Sequence, residues 1–495
     1  MTQPHRFLNV VNGKTCAGSG GGFIPSANPY TGQVWAEIPH CNGSDANAAV
    51  EAAYEAFARG PWSRMNPTER GKRLMRLADV VAREAENLAA IEVRDNGKLL
   101  AEMLAQLRYI PEWFRYYGGL ADKIEGAVPA SDKPDMLVYT RREPLGVVVA
   151  ITPWNSPLML LAWKLAPALA AGNTVVVKPS EFTSCSTLAF MELIEEAGFP
   201  PGVVNSVTGY GSEIGTALVE HPLVAKVAFT GGDSTGAAVY GAAAKSIKHV
   251  TLELGGKSAN IVFEDANIES AVNGAISGIF AASGQTCLAG SRLLVQKSIY
   301  QEFSKKVVAF ARRARLGDPM MKTTQVGPIT TEQQRSKILN YIDVARSEGA
   351  ECLLGGGTPA EPSLGKGWFV EPTIFGGVTN SMRIAREEIF GPVLSIIPFE
   401  DEDQAVEIAN DSLYGLASGI WTSRIARAHR VAERLRAGTV WVNTYRAVSF
   451  AVPFGGYKRS GIGRENGQRA IDEYLQTKSV WINLANDTPD PFVIR

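Results

Sequence analysis

The chain has 495 residues, 45% hydrophobic and 20% charged, which is too long for one hydrophobic core, so two or more globular domains are expected. Its 49 basic and 50 acidic residues leave a formal net charge of -1, with no overall field to draw nucleic acid or an anionic bilayer, and neither is expected as a partner. Five cysteines (Cys16, Cys41, Cys185, Cys287 and Cys352) are too few and too scattered for a disulfide framework, so a reducing cytoplasm is the expected setting.

The N-terminus lacks the apolar core of a signal peptide. The most apolar stretch, 156–171, is broken by Lys164 and Pro167, so no exported or membrane-spanning segment is expected. Residues 7–14 and 33–38 read as short strands, with turn chemistry between them at 18–22 and 28–32. Ser44 precedes a helical segment at 45–59, and Thr68 precedes another running to about Asn96, which gives a helical N-terminal layer. From Pro144 onward, apolar runs at 146–152, 174–178, 203–208 and 225–229 alternate with helical segments at 158–171, 184–197, 214–220 and 235–245. Such alternation demands a parallel sheet covered on both faces, and sheets of that kind bind ligands beyond the carboxyl ends of their strands. A second series of the same kind starts near Gly255 and runs past Gly391. The tail, 480–495, carries Pro489 and Pro491 without a helical period and reads as a loose end or as an arm on a neighbouring subunit.

Gly284-Gln285-Thr286-Cys287 holds a lone cysteine between Gly284 and Gly290, a tight turn with little apolar surface in which to bury a thiol. Glu253 lies upstream in Leu252-Glu253-Leu254-Gly255-Gly256-Lys257-Ser258. A thiol that forms a thioester needs a carboxylate to activate the water that clears it, so the two segments read together as an acyl-transfer centre. Cys185, inside the helical 184–197 segment, reads as a buried small apolar side chain. Lys178-Pro179-Ser180-Glu181 ends a buried strand with a cation and a carboxylate, which is either a surface ion pair or a grip on ribose hydroxyls and phosphate. Glycine turns at 209–215 and 229–236 put backbone amides at helix starts, where they can face a pyrophosphate, although neither has the usual dinucleotide spacing. Gly255-Gly256-Lys257-Ser258 is no triphosphate loop, because Thr251 stands where that loop needs its first glycine. His5, His40, His221, His249 and His429 show no metal-ligand spacing, and no metal is expected.

Seven segments occur in a fixed order: Pro153-Trp154-Asn155, Lys178-Pro179-Ser180-Glu181, Phe229-Thr230-Gly231, Leu252-Glu253-Leu254-Gly255-Gly256-Lys257, Gly284-Gln285-Thr286-Cys287, Glu388-Ile389-Phe390-Gly391-Pro392 and Pro453-Phe454-Gly455-Gly456. With them nearly the whole chain resembles the aldehyde dehydrogenase superfamily of NAD(P)-dependent enzymes. The resemblance implies an α/β fold with two Rossmann-like parallel-sheet domains, a cofactor-binding one (1–123 and 145–254) and a catalytic one (255–459). It adds a small β oligomerisation element (124–144 and 460–495), with a hairpin over 124–142, and implies a homodimer or homotetramer.

The same resemblance implies that Cys287 is the nucleophile, Glu253 the general base and Asn155 the side-chain donor to the oxyanion, with Lys178 also among the catalytic residues. It assigns NAD to Ile151, Thr152, Pro153, Trp154, Lys178, Ser180, Glu181, Gly211, Gly215, Phe229, Thr230, Gly231, Gly232, Thr235, Leu254, Gly255, Glu388 and Phe390. A small aldehyde is the implied substrate, walled by Trp154, Leu160, Trp163, Leu288, Phe450 and Phe454, with Arg446 either meeting an anionic group on it or solvated. Glu181 accepts both ribose hydroxyls of NAD and repels the 2′-phosphate of NADP, so NAD is expected, with NADP less favoured. Gly232 departs from the serine of many relatives, which loosens the expected pyrophosphate contact. The glutamate at 253 argues for hydrolysis of the thioester. The competing readings are a cofactor-independent cysteine esterase and a non-catalytic scaffold that kept the fold.

Overall fold

Alternating branched apolar runs and helices fold here into two parallel sheets. The computed structural model describes residues 4–486 and 490–492. The first sheet runs, edge to edge, Gly461–Ile462, His249–Glu253, Val224–Thr230, Val147–Ile151, Thr174–Lys178, Val204–Ser206, with only Gly461–Ile462 antiparallel. Its strands are buried on both faces, and the side chains divide by alternation. Val147, Val149 and Val176 pack with Ala49, Ala53, Ile214 and Leu218 of the helices Gly43–Ala58 and Gly211–Val219. Val148, Ala150, Val175 and Val177 face the opposite way, onto the helices Pro157–Ala171 and Cys185–Glu196.

The second sheet has the order Glu351–Leu354, Thr373–Gly376, Val393–Phe399, Arg292–Gln296, Ala259–Val262, Ala417–Trp421, Thr439–Val442, with only the edge strand Glu351–Leu354 antiparallel. Ala259, Ile261 and Leu294 meet Ile338 and Ile342 of the helix Glu332–Ser347, while Val262, Leu293 and Val295 join the large core that also holds the 157–171 helix. The two layers therefore share apolar surface, and their strand ends converge on one cleft.

Several expected elements change. The expected strand at 7–14 is two, Asn9–Val11 and Lys14–Cys16, because Asn12 and Gly13 take left-handed φ of 52° and 71° and turn the chain into a hairpin. Phe23–Asn28, which the turn signals around it obscured, is a strand pairing with Gln33–Pro39. Helix starts also shift: Asn42 caps Gly43–Ala58 by accepting from the amides of Ser44 and Asp45, and Asn66 caps Pro67–Asn96 through Glu69, so neither Ser44 nor Thr68 is the cap. Gly211–Val219 begins earlier than 214.

Within 124–142, where a hairpin is expected, no strand ladder forms, and the chain meets itself where Ala127 and Thr140 exchange hydrogen bonds at 2.8 Å. Met136–Pro144 instead pairs antiparallel with Leu475–Asn483 in a long ribbon, leaving Leu137, Trp481 and Ile482 exposed. Of the tail, Pro491 is described, whereas Pro489 and residues 493–495 lie outside the described residues. Among the described residues, no helix is long and apolar enough to cross a membrane.

Candidate active site

Cys287 reaches the cleft through a turn that most residues cannot make. Ala282, Ser283 and Gly284 all take left-handed backbone angles, with φ of 53°, 52° and 71°. For the two residues with side chains this is strained, so the surroundings must hold them. They do: Ala282 N–H donates to Glu102 (2.8 Å), Ser283 Oγ donates to the Gly327 carbonyl (2.8 Å), and the buried Gln285 accepts from Thr330 N–H (3.0 Å). At 284 only glycine fits, because a Cβ there would overlap the Gly391 backbone.

The half-buried Cys287 opens into a cavity of about 160 Å³ that is also lined by Asn155, Glu253 and Leu160. Asn155 follows the strand Val147–Ile151, and its Nδ2 donates to the Gln285 carbonyl at 3.1 Å, so the cysteine turn itself steers the amide. Burial, and then the Glu388 and Glu253 carboxyls, push the Cys287 thiol up to about 12, while the backbone amides of Cys287 and Leu288 oppose the rise. Glu253 ends the strand His249–Glu253, and its Oε2 is buried with no hydrogen-bond partner. Burial, reinforced by Glu465, holds its carboxyl well above the usual carboxylate range, with Lys164 and Arg464 opposing. Space for that carboxyl depends on Gly455, where a Cβ would stand 2.8 Å from Glu253 Oε1.

The same cavity is lined by Pro153, Trp154, Thr230, Gly231, Gly232, Leu254, Gly255, Glu388 and Phe390, together with Gln334 and Lys337. Glu388 accepts from Gly256 N–H at 2.9 Å, and burial pushes its carboxyl up to about 7. A Cβ at Gly255 would overlap that carboxylate. Phe390, at φ 62°, sets its ring edge-on to Trp154 at 5.0 Å, and Gln334 fixes the loop by donating to the Ile389 and Phe390 carbonyls.

Past the residues that line the cavity, the carboxyl ends of the first sheet carry the rest of the expected cofactor residues. Ile151 and Lys178 are register neighbours there, and Lys178 Nζ meets Glu181 at 3.1 Å, with Ser180 in the turn between them. A Cβ added to Gly211 would lie 4.0 Å from Lys178 Nζ, so the start of the 211–219 helix faces the same pair, with Gly215 one turn on. Thr152 Oγ1 is buried without a partner, Phe229 packs its ring against Gly231, and Thr235 sits in the first turn of Asp233–Ala244. Open space surrounds Gly232 and Gly215. A partnerless hydroxyl, glycines that leave the backbone bare at a helix start, and an acid and a base at the strand ends fit an adenine dinucleotide.

Not every expected site residue lines the cavity. Lys178 meets Glu181 and lies outside the lining with Cys287. Trp163, Leu288, Arg446, Phe450 and Phe454 also fall outside it. Trp163 stacks on Trp113 (5.9 Å) and meets Phe454 edge-on (5.3 Å), while Phe450 packs against Tyr109, Tyr116 and Trp113. Arg446, held at φ 69°, donates to the Ser277 carbonyl at 3.3 Å.

Sequence reasoning missed four groups. Lys337 and Gln334 carried no signal, since they stand on a helix of ordinary polar composition. Lys164 and Glu465 form a fully buried ion pair beside Glu253, and Lys164 Nζ also donates to Thr230 Oγ1 at 2.6 Å. Lys164 did carry a signal, as the one charge in an otherwise apolar helix.

Comparison with known proteins agrees with this geometry. The family model described as "Aldehyde dehydrogenase family" matches residues 17–480. The (Z)-2-((N-methylformamido)methylene)-5-hydroxybutyrolactone dehydrogenase of Acinetobacter baylyi is 47% identical over 494 residues, covering 99% of this chain and all (100%) of the relative. Betaine aldehyde dehydrogenase of Bacillus subtilis is 44% identical, covering 92% of this chain and 93% of the relative. Among solved structures, betaine aldehyde dehydrogenase of Staphylococcus aureus in complex with NAD+ superposes with a TM-score of 0.97 at 40% identity, covering 99% of this chain and 97% of that one. Over nearly its entire length, then, the chain belongs to the aldehyde dehydrogenase family.

Proposed function

We propose that the protein oxidises an aldehyde to a carboxylic acid with NAD, through a thiohemiacetal and then a thioester on Cys287 that water hydrolyses with Glu253 as general base. The observation that carries this is the meeting of Cys287, Asn155 and Glu253 in one cavity that Gly231 and Gly232, at the start of the helix Asp233–Ala244, also line. NAD, when bound, supplies the hydride acceptor. Lys178 and Glu181 would hold its adenosine ribose, the amides at Gly231 and Gly232 its phosphates, and Glu388 and Phe390 its nicotinamide end; the NAD+ complex of the S. aureus relative supports this reading.

The Cys287 thiol gives its proton to water, its sulfur adds to the carbonyl carbon, and the oxygen that gains charge is met by the Asn155 amide and by backbone N–H at the cysteine. Loss of hydride from that carbon leaves the thioester. Glu253 then takes a proton from water, the hydroxyl adds to the thioester carbon, and sulfur departs with the acid released, taking that proton from Glu253 to restore the thiol. The balance is aldehyde, NAD+ and water giving carboxylic acid, NADH and a proton. Aliphatic, aromatic, amino and carboxylated aldehydes, assayed by NADH absorbance, test the proposal: silence across the whole panel would refute it.

NAD preference rests on Glu181, whose carboxylate sits beside Lys178 at the strand end. Glu181→Ala is expected to lower the NAD to NADP ratio of kcat/KM by about tenfold, the scale of one charge-assisted contact; a ratio that does not move would remove Glu181 from the ribose site. Arg446 marks the substrate side. If it meets an anionic group, Arg446→Ala should cost carboxylated aldehydes roughly tenfold or more in kcat/KM while sparing neutral ones, and equal losses would end that assignment.

We assign 1–123 and 145–254 to a cofactor domain, 255–459 to a catalytic domain, and 124–144 with 460–495 to assembly as a homodimer or homotetramer. The exposed apolar residues of the 136–144 and 475–483 ribbon support that last assignment, and a monomer by light scattering would overturn it. Five unpaired thiols support a reducing, cytoplasmic setting.

A further inference from the structure

The long helix Pro67–Asn96 stops at Gly97, which takes a left-handed φ of 76° and where a Cβ would stand 2.8 Å from the Pro328 ring. The next residue, Lys98, is 3% exposed, and no step of the reaction uses its charge. A buried ammonium is costly unless it is bonded, so its place calls for a reason. Lys98 Nζ donates to Ser156 Oγ at 2.9 Å. Ser156 stands just before the helix Pro157–Ala171, where a serine hydroxyl ordinarily accepts from the first-turn amides, yet it makes no such cap. Glu92 takes that duty by accepting from Leu158 N–H at 3.0 Å, which leaves the Ser156 hydroxyl to Lys98.

The Lys98 contact belongs to a closed ring of hydrogen bonds. Lys98 N–H donates to Asn96 Oδ1 (2.9 Å), and the Asn96 carbonyl accepts from Thr330 Oγ1 (2.7 Å). Thr330 N–H donates to Gln285 Oε1 (3.0 Å), and the Gln285 carbonyl accepts from Asn155 Nδ2 (3.1 Å). Ser156, the next residue along the chain from Asn155, returns the ring to Lys98. Every residue of the ring is buried, where polar groups that satisfy one another hold a single arrangement. The ring thus ties the residue after Asn155 to the turn that carries Cys287.

We propose that Lys98 is a positioning residue for the oxyanion site: by holding Ser156 it fixes the Asn155 amide against the cysteine turn in the geometry that addition to the carbonyl needs. This rests on the aldehyde dehydrogenase reading and adds a residue to it. Lys98 is not among the residues that line the reaction cavity, so it acts through Asn155. Burial brings its ammonium down to about 8, with Arg446 assisting and Glu102, Glu92 and Cys287 opposing, so at neutral pH most of it is charged and can donate. Precise placement carries weight here, since a shift of about 1 Å at a reacting group can cost on the order of a hundredfold in rate.

Methionine at 98 keeps the length of the side chain and removes the donor, whereas S156A removes the acceptor. Each change is placed in the parent and in N155A, and the first-turnover rate of NADH formation is read with enzyme in excess over aldehyde, beside NAD affinity from a fluorescence titration. In the parent, K98M should slow that turnover roughly tenfold and S156A by a smaller factor, with NAD affinity within about twofold, because a slackened amide loses part of its hold on the oxyanion. On N155A, which lacks the amide that Lys98 steers, neither change should slow turnover by more than about twofold. Equal factors on both backgrounds, or NAD affinity lost along with the rate, would mean a general loss of packing and would overturn the assignment. Rates within about twofold of the parent in both variants would overturn it as well. S156A alters a small side chain and decides alone should K98M fold poorly. A parent that forms no NADH would sink the dehydrogenase reading together with this inference, whereas an active parent whose variants miss these results sinks the inference alone.

Discussion

Alanine at Cys287 should reduce aldehyde-dependent NADH formation by at least about ten-thousand-fold while leaving NAD binding in place. The size follows from what the sulfur does. Without it no covalent adduct forms, and the hydride would have to leave a free aldehyde hydrate that the cavity does not hold in position. The turn that presents residue 287 is fixed by Gln285, Ser283 and Ala282, none of which bonds through the thiol, so the fold should persist. Serine should be nearly as inactive as alanine, because its hydroxyl ionises far less readily than a thiol. In the protein without ligands burial holds the thiol up at about 12. A raised thiol pKa means that the thiolate fraction climbs with pH, about tenfold per unit, until that value is reached, so alkylation of Cys287 by iodoacetamide should still be accelerating where an ordinary cysteine has levelled off. An alanine variant that keeps a tenth of the parent rate would show that the acyl group is carried elsewhere.

What the sequence revealed and what it hid divide along one physical line, the distance between partners. The strands Val147–Ile151 and Thr174–Lys178 were legible because a buried parallel strand needs branched apolar residues throughout, and each declares itself within five residues. Cys287 was legible because Gly284 and Gly290 flank it closely and Glu253 because glycines follow it, whereas the groups that exclude a side chain at Gly284 and Gly255, the Gly391 backbone and the Glu388 carboxylate, lie far along the chain and only the fold shows them. The strand Met136–Pro144 was placed in a local hairpin because its real partner, Leu475–Asn483, lies far along the chain and no nearby pattern announces it. The same holds for Lys164 and Glu465, which are 301 residues apart. A lysine in an apolar helix asks for a buried acid, but only the fold says which one. The caps misled for a smaller reason: Ser44 and Thr68 are good cap residues, yet Asn42 and Asn66 precede them, and a proline at 67 favours starting the helix there.

Glutamine at Glu253 should separate the two halves of the reaction. The amide keeps the shape of the carboxyl and cannot take a proton from water, so oxidation of the first aldehyde should proceed and hydrolysis of the thioester should not. The expected result is one NADH per active site in a rapid burst, followed by turnover slowed on the order of a thousandfold, with the acyl group detectable on Cys287 by mass spectrometry. The pH profile adds a second signature. Burial, with Glu465 next, raises the Glu253 carboxyl well above its ordinary range, so at low pH it holds its proton and is no base. The active base form therefore appears as pH rises through that raised value, and parent deacylation should climb with pH on the alkaline side of an ordinary glutamate titration. In the glutamine variant this limb should vanish and leave only the slower rise that follows hydroxide concentration. Lys164 and Arg464 oppose the rise in the Glu253 pKa, so removing the Lys164 charge should push the parent limb still further toward alkaline pH. Full turnover by the glutamine variant, or loss of the burst together with turnover, would show that the carboxylate does not serve the water.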